Sequence, residues 1–106
     1  MFKLLTAAVA SLAIAAPSMA SSWTDIEELT SLVEQTGTTV QALDCQEGAM
    51  GYYQFDRAND IDRLVVCQNN VDMKDPDAVW EVVAHEATHV MQACQSGPVI
   101  ADSYVP

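Results

Sequence analysis

His85 and His89, with Glu86 beside the first, are the residues of this 106-residue chain whose types and spacing could do chemistry. They are the chain's only two histidines, and they stand in the run His85-Glu86-Ala87-Thr88-His89, the HExxH zinc pattern. On a helix, residues i and i+4 project to the same side, so two imidazoles at this spacing can close on one Zn²⁺ at about 2.0–2.1 Å. A metal so held lowers the pKa of its water from roughly 15.7 to about 7, and Glu86 stands where it can accept that water's proton. The chemistry indicated is metal-assisted hydrolysis, most often of a peptide bond. Two histidines scattered at random would fall into this pattern, with Glu in second place, on the order of once in a thousand chains.

The motif needs a helix to position it. On a 3.6-residue wheel, Val79, Val82, Val83, Ala87, Val90 and Cys94 form one apolar stripe, and the two histidines lie beside it. Glu86 falls within the edge of the stripe, where an unpaired buried carboxylate costs several kcal/mol. That is a poor structural choice and a sensible place for a base beside a cation. Asp75 as N-cap, Pro76 at the first helical position, Asp77 in the first turn and Gly97-Pro98 beyond the far end predict a helix over Pro76 to Gln95.

A catalytic zinc takes three protein ligands plus water. The extended metzincin pattern is excluded, because Gln92 stands where it wants Gly and Gln95 where it wants the third His. A gluzincin ligand is excluded too, since no Glu follows Glu86. Asp102, thirteen residues past His89, is the only acidic residue downstream and is the candidate third ligand. Asp72 and Cys67 are weaker candidates. Glu81, one turn before His85, cannot converge on the same ion with both histidines, because three groups at i, i+4 and i+8 span about 12 Å. It can offer His85 a hydrogen bond. Tyr52, Tyr53 and Tyr104 are candidates to place a phenol near a developing oxyanion.

Residues 1–20 read as a secretory signal peptide, with Lys3 as the basic start, Leu4 to Ala16 as the apolar stretch and Ser18-Met19-Ala20 as the cleavage site. The apolar run is too short to span a bilayer, so no stable membrane span is expected after cleavage. No Cys follows Ala20, which argues against a lipid anchor there. Residues 21–106 form one small domain, expected in the periplasm or outside the cell. Without Lys3, three basic residues face fifteen acidic ones, a formal charge of −12. Such a chain repels nucleic acid and anionic membranes, stays soluble, and suits basic peptide substrates. Oligomeric state is not legible.

Cys45, Cys67 and Cys94 are the only cysteines. An exported protein usually pairs its cysteines, and an odd count leaves one over. The expected pair is Cys67 with Cys94, tying a strand to the motif helix.

Thr24-Asp25-Ile26-Glu27 reads as a capping box, followed by Ile26, Leu29, Leu32 and Val33 at helical spacing up to Gly37. Thr38 to Leu43, Gly51 to Phe55 and Leu64 to Gln68 read as strands, with Asp56 to Asp62 as the polar turn between the last two. The expected fold class is α+β, a small two- or three-stranded sheet packed against a long C-terminal HExxH helix and a shorter N-terminal helix.

Gly51-Tyr52, then Leu64-Val65-Val66-Cys67-Gln68-Asn69, then Val83-Ala84-His85-Glu86-Ala87-Thr88-His89 with Cys94 five residues later, resembles the mitochondrial metallopeptidases that process an ATP-synthase subunit. It is also similar to small exported HExxH proteins of cyanobacteria. The resemblance covers Cys45 to Cys94 and implies zinc binding by His85 and His89 and the base role for Glu86. The chain departs from the mitochondrial pattern at Gln92, where that family has an acidic residue, and at Gln95, where it has Arg. The family also continues beyond the point that Pro106 reaches, so the domain is expected to be C-terminally truncated relative to it.

Three functions follow. The foremost is an exported zinc-dependent metallopeptidase acting on a peptide or protein substrate, with Leu64 to Cys67 as an edge for an extended substrate strand. The others are a non-catalytic zincin-like binding domain without a full ligand set, and a structural zinc site built from His85, His89, Cys45 and Cys67.

Overall fold

A computed structural model of the protein describes residues 21–96. The expected signal peptide, Asp102 and Tyr104 lie outside the described residues. Two helices and a three-stranded mixed sheet make an α+β fold, in the chain order α1 (Trp23–Gln35), β1 (Thr39–Leu43), β2 (Gly51–Asp56), β3 (Ile61–Cys67) and α2 (Pro76–Ser96).

The first helix starts two residues earlier than the expected box. Ser22, extended at φ −119° and ψ 161°, is the N-cap. Its Oγ accepts from Asp25 N at 3.1 Å while Asp25 Oδ2 accepts from Ser22 N at 3.2 Å, so the reciprocal pair is Ser22 with Asp25 and Thr24 lies inside the helix. Ile26 and Val33 are buried, but Leu32 points to solvent at 59% exposure. Gly37, at φ +99°, ends the segment in a conformation that a side chain would strain.

The sheet order is β1-β3-β2. β1 runs parallel to β3, from Thr39 opposite Arg63 to Leu43 opposite Cys67. β2 runs antiparallel to β3, from Gly51 opposite Val66 to Asp56 opposite Ile61. β3 is therefore the central strand, paired on both sides, and the expectation that Leu64 to Cys67 offers a free edge is wrong: β1 and β2 are the edges. β3 also begins three residues earlier than its apolar run. Pairing with Phe55 and Gln54 draws the polar residues Asp62 and Arg63 into the ladder, and Arg63 Nε donates to Gln54 Oε1 at 2.9 Å. The turn shrinks to one 3-10 turn, Arg57–Asn59, capped by the Asp56 side chain and closed by Asp60 in the left-handed region at φ 56°.

Both helices pack on the side of the sheet that carries Tyr53, Leu64 and Val66, forming one core with Ile26, Val33, Val79, Val82, Val83 and Val90. The start of α1 is tied to the first turn of α2 by the Ser21 amide, which donates to Asp77 Oδ1. α2 begins as its sequence predicts. Asp75 Oδ1 accepts from Asp77 N at 3.0 Å and the Asp75 carbonyl accepts from Val79 N at 3.1 Å, with Pro76 at the position that needs no donor.

The disulfide joins Cys45 to Cys67, with a Cα–Cα distance of 5.3 Å, not Cys67 to Cys94. Cys94 shares a cavity with Asp62, near the opposite end of β3. Five residues of extended strand separate Asp62 from Cys67, about 16 Å. A disulfide needs Cα atoms within about 7 Å. Cys94 is an exposed free thiol rather than the last member of the buried stripe. Asn69 and Asn70 hold the Cys45 loop against the end of β3. Asn69 exchanges two 2.9 Å bonds with the Cys45 backbone, and the Asn70 amide donates at 2.8 Å to the carbonyls of Gln46 and Ala49. No helix among the described residues is long and apolar enough to cross a membrane.

Candidate metal centre

The HExxH residues occupy the middle of α2. Val82, Val83, Ala87 and Val90 turn inward to the sheet, and this fixes the rotation of the helix about its axis. That rotation leaves His85 exposed, His89 half-buried and Glu86 wholly inside. The imidazole rings meet edge to face, with centroids 5.3 Å apart and planes at 72°. His89 Nδ1 is 3.1 Å from Gln92 Oε1, one turn further along.

Glu86 is 0% exposed, and neither of its carboxylate oxygens has a hydrogen-bond partner among the described residues. Burial pushes its carboxyl from 4.5 up to about 7, while the charge of His89 pulls it back down. Close to neutrality is where a group that must both take and give a proton works best.

The roof over Glu86 is the first residue of β2. A Cβ built on Gly51 would lie 2.5 Å from Val82 Cγ1, 2.8 Å from the Val65 carbonyl oxygen and 3.5 Å from Glu86 Cγ. The absence of a side chain lets the edge strand lie directly on the helix at the motif. The sequence contains this glycine, yet its contact with the motif helix depends on a separation of more than thirty residues and has no local signal.

No family model matches the chain, and no curated protein or solved structure does either.

The other candidates sort clearly. Among the described residues, no group of three or more His, Cys, Asp or Glu could hold a metal ion, so Asp72 and Glu81 do not complete a site with the two histidines. Asp72 Oδ1 instead accepts from the Lys74 backbone at 3.1 Å. Cys45 and Cys67 spend their sulfurs on each other. That removes Cys67 as a ligand and removes the four-ligand structural zinc site, which requires two thiolates. Tyr52 and Tyr53 alternate across β2 and face opposite sides of the sheet. The Tyr52 hydroxyl accepts from Arg63 Nη2 at 3.4 Å. The buried Tyr53 hydroxyl donates to Asp62 Oδ1 at 2.9 Å, in the cavity of about 170 Å³ that Cys94 also lines. Both phenols are engaged in the sheet. Asp102 and Tyr104 lie outside the described residues.

His85 and His89 set two imidazoles one turn apart on α2, the donor type that zinc takes, and Glu86, between them in sequence, adds a buried carboxylate whose oxygens have no donor among the described residues.

Proposed function

We propose that the protein is an exported zinc-dependent metallopeptidase, in which His85 and His89 hold the metal and Glu86 is the general base. One observation carries the reading: a fully buried carboxylate with both oxygens unpartnered among the described residues. Leaving such a group in a core costs several kcal/mol, and a fold keeps it when it has work to do. When bound, Zn²⁺ supplies a Lewis acid that polarises the scissile carbonyl and makes water a stronger acid.

The chain's own residues do the rest. Glu86 takes a proton from the attacking water and returns it to the departing amine, a reversal suited to a carboxyl near 7. The apolar walls formed by Val82 and the Gly51 backbone keep bulk water from Glu86 and strengthen its electrostatic hold on that proton. β2, an edge strand whose first residue lies on the motif helix, is the sheet element that an extended peptide would extend.

Asp102 is the proposed third ligand. It lies six residues beyond Ser96, a reach of up to about 20 Å in extended chain, and His89 lies seven residues back along the helix, about 10 Å by its rise. Export rests on the signal-like residues 1–20 and fits the Cys45–Cys67 disulfide. The negative charge favours basic peptides.

The second reading, a zincin-like binding domain without turnover, is favoured by the lack of a third ligand among the described residues. Elemental analysis of the mature chain, its His89→Ala variant and its Glu86→Gln variant decides between them. The enzyme reading expects one zinc per chain, lost in His89→Ala and kept in Glu86→Gln, with peptide hydrolysis falling about 10²–10⁴-fold in Glu86→Gln. Zinc bound without chelator-sensitive hydrolysis would establish the binding domain instead.

A further inference from the structure

We infer that Gln92 is the positioning residue that fixes the tautomer of His89, leaving the Nε2 lone pair as the one nitrogen of that ring open to a cation; its bearing on the metal rests on the zinc reading above. The distance between His89 Nδ1 and Gln92 Oε1 is 3.1 Å. An amide oxygen only accepts, so this bond requires the proton on Nδ1. With Nδ1–H committed to Gln92, the unprotonated nitrogen is Nε2.

This assignment matters because a free neutral histidine side chain prefers the other tautomer, with its proton on Nε2. Without a partner on Nδ1, His89 would spend most of its time protonated on the nitrogen that a metal needs. A helix brings residues three apart onto neighbouring positions, so Gln92 can reach the ring from within the same helix. No distant element has to hold it.

An amide does this differently from a carboxylate. Gln92 orients the imidazole and selects its tautomer, but it adds no negative charge to make the ring more basic. The expected outcome is a centre that is correctly oriented and binds zinc more weakly than the Gln92→Glu variant does. Metal-ligating histidines commonly gain 10–100-fold in affinity from such partners.

The test uses the metal-free mature chain, at a pH high enough to keep both imidazoles neutral, and reads the tautomer from long-range ¹H–¹⁵N correlations of the rings. The parent is expected to show His89 mostly as Nδ1–H. Gln92→Met, which keeps the bulk and helix preference but has no oxygen acceptor, shifts His89 toward Nε2–H and weakens zinc binding about 10–100-fold in a chelator competition. Gln92→Glu restores the tautomer and binds zinc more tightly than the parent. Gln92 is exposed, so thermal unfolding of both variants should match the parent, and a purely structural role would not move the tautomer. A parent His89 that is mostly Nε2–H, or a Gln92→Met variant with an unchanged tautomer, overturns the inference. If the tautomer responds to Gln92 but no variant binds zinc, the positioning role stands and the zinc reading fails.

Discussion

Two acidic residues touch the same small core and are treated in opposite ways. Asp62, on β3, receives the Tyr53 hydroxyl at 2.9 Å and the Thr38 hydroxyl at 2.7 Å on one oxygen. Thr38 and Tyr53 are each 2% exposed, so this cluster is a polar network satisfied from within. Its cost to Tyr53 is visible: burial first, then the bond to Asp62 and its charge, push the phenol up to about 12. Glu86, on α2, is more deeply buried and receives no hydrogen bond from the described residues. A polar network that is complete specifies a fold, whereas a buried carboxylate left incomplete marks a place where something from outside the chain is expected.

The comparison can be broken or sharpened at four points. The largest expected effects are two of about 3 kcal/mol. Replacing Cys45 and Cys67 together by Ala removes the cross-link over a 22-residue separation and should lower unfolding free energy by about 3 kcal/mol, with the zinc content expected under the proposed function unchanged. Denaturant titration with zinc stoichiometry checks both halves.

The second concerns pH. Glu86 holds its proton more tightly in the folded chain than in the unfolded one, about 7 against 4.5. Its stabilising contribution is complete below pH 4.5 and is lost as pH rises through about 7, a fall of about 3 kcal/mol in the metal-free protein. Urea unfolding in chelator across that window should show the fall, and Glu86→Gln should flatten it. A parent as stable at pH 8 as at pH 4 would remove the contrast with Asp62 altogether.

A smaller effect is expected at the roof of the site. Gly51→Ala forces a Cβ against Val82 and the Val65 carbonyl and should cost about 1–3 kcal/mol. Because the strand must lift off the helix, Glu86 gains access to water and its raised pKa should relax downward, as carboxyl ¹³C titration would read. The smallest change is Tyr53→Phe, which deletes one donor from the Asp62 network and should cost about 1 kcal/mol. It should leave zinc content untouched.

Local signals in this chain are strong where the chemistry is local. The helix caps at Asp75 and Pro76, the apolar spacing of α2 and the HExxH run are each contained within a few turns, and the helix they describe forms over Pro76–Ser96. The same reading misses where partners come from far away. Cys67 meets Cys45 rather than Cys94 because the parallel pairing of β1 with β3 sets Leu43 beside Cys67. The polar Asp62 and Arg63 become strand because β2 pairs with them. Leu64 to Cys67 looks like any short apolar strand in sequence. Only the crossover that inserts β3 between β1 and β2 makes it the centre of the sheet.

The sequence by itself determined which groups are available for chemistry, that His85 and His89 share one side of a helix and that Glu86 borders its apolar stripe, because a 3.6-residue period is a property of the local backbone. Tertiary structure decided what that side faces. The packing of α2 against Tyr53, Leu64 and Val66 carries Glu86 out of water while His85 stays at the surface, and Gly51 lets an edge strand close over it. Burial, and with it the raised pKa of Glu86, arises from atoms distant in sequence excluding solvent together, and no local pattern encodes that.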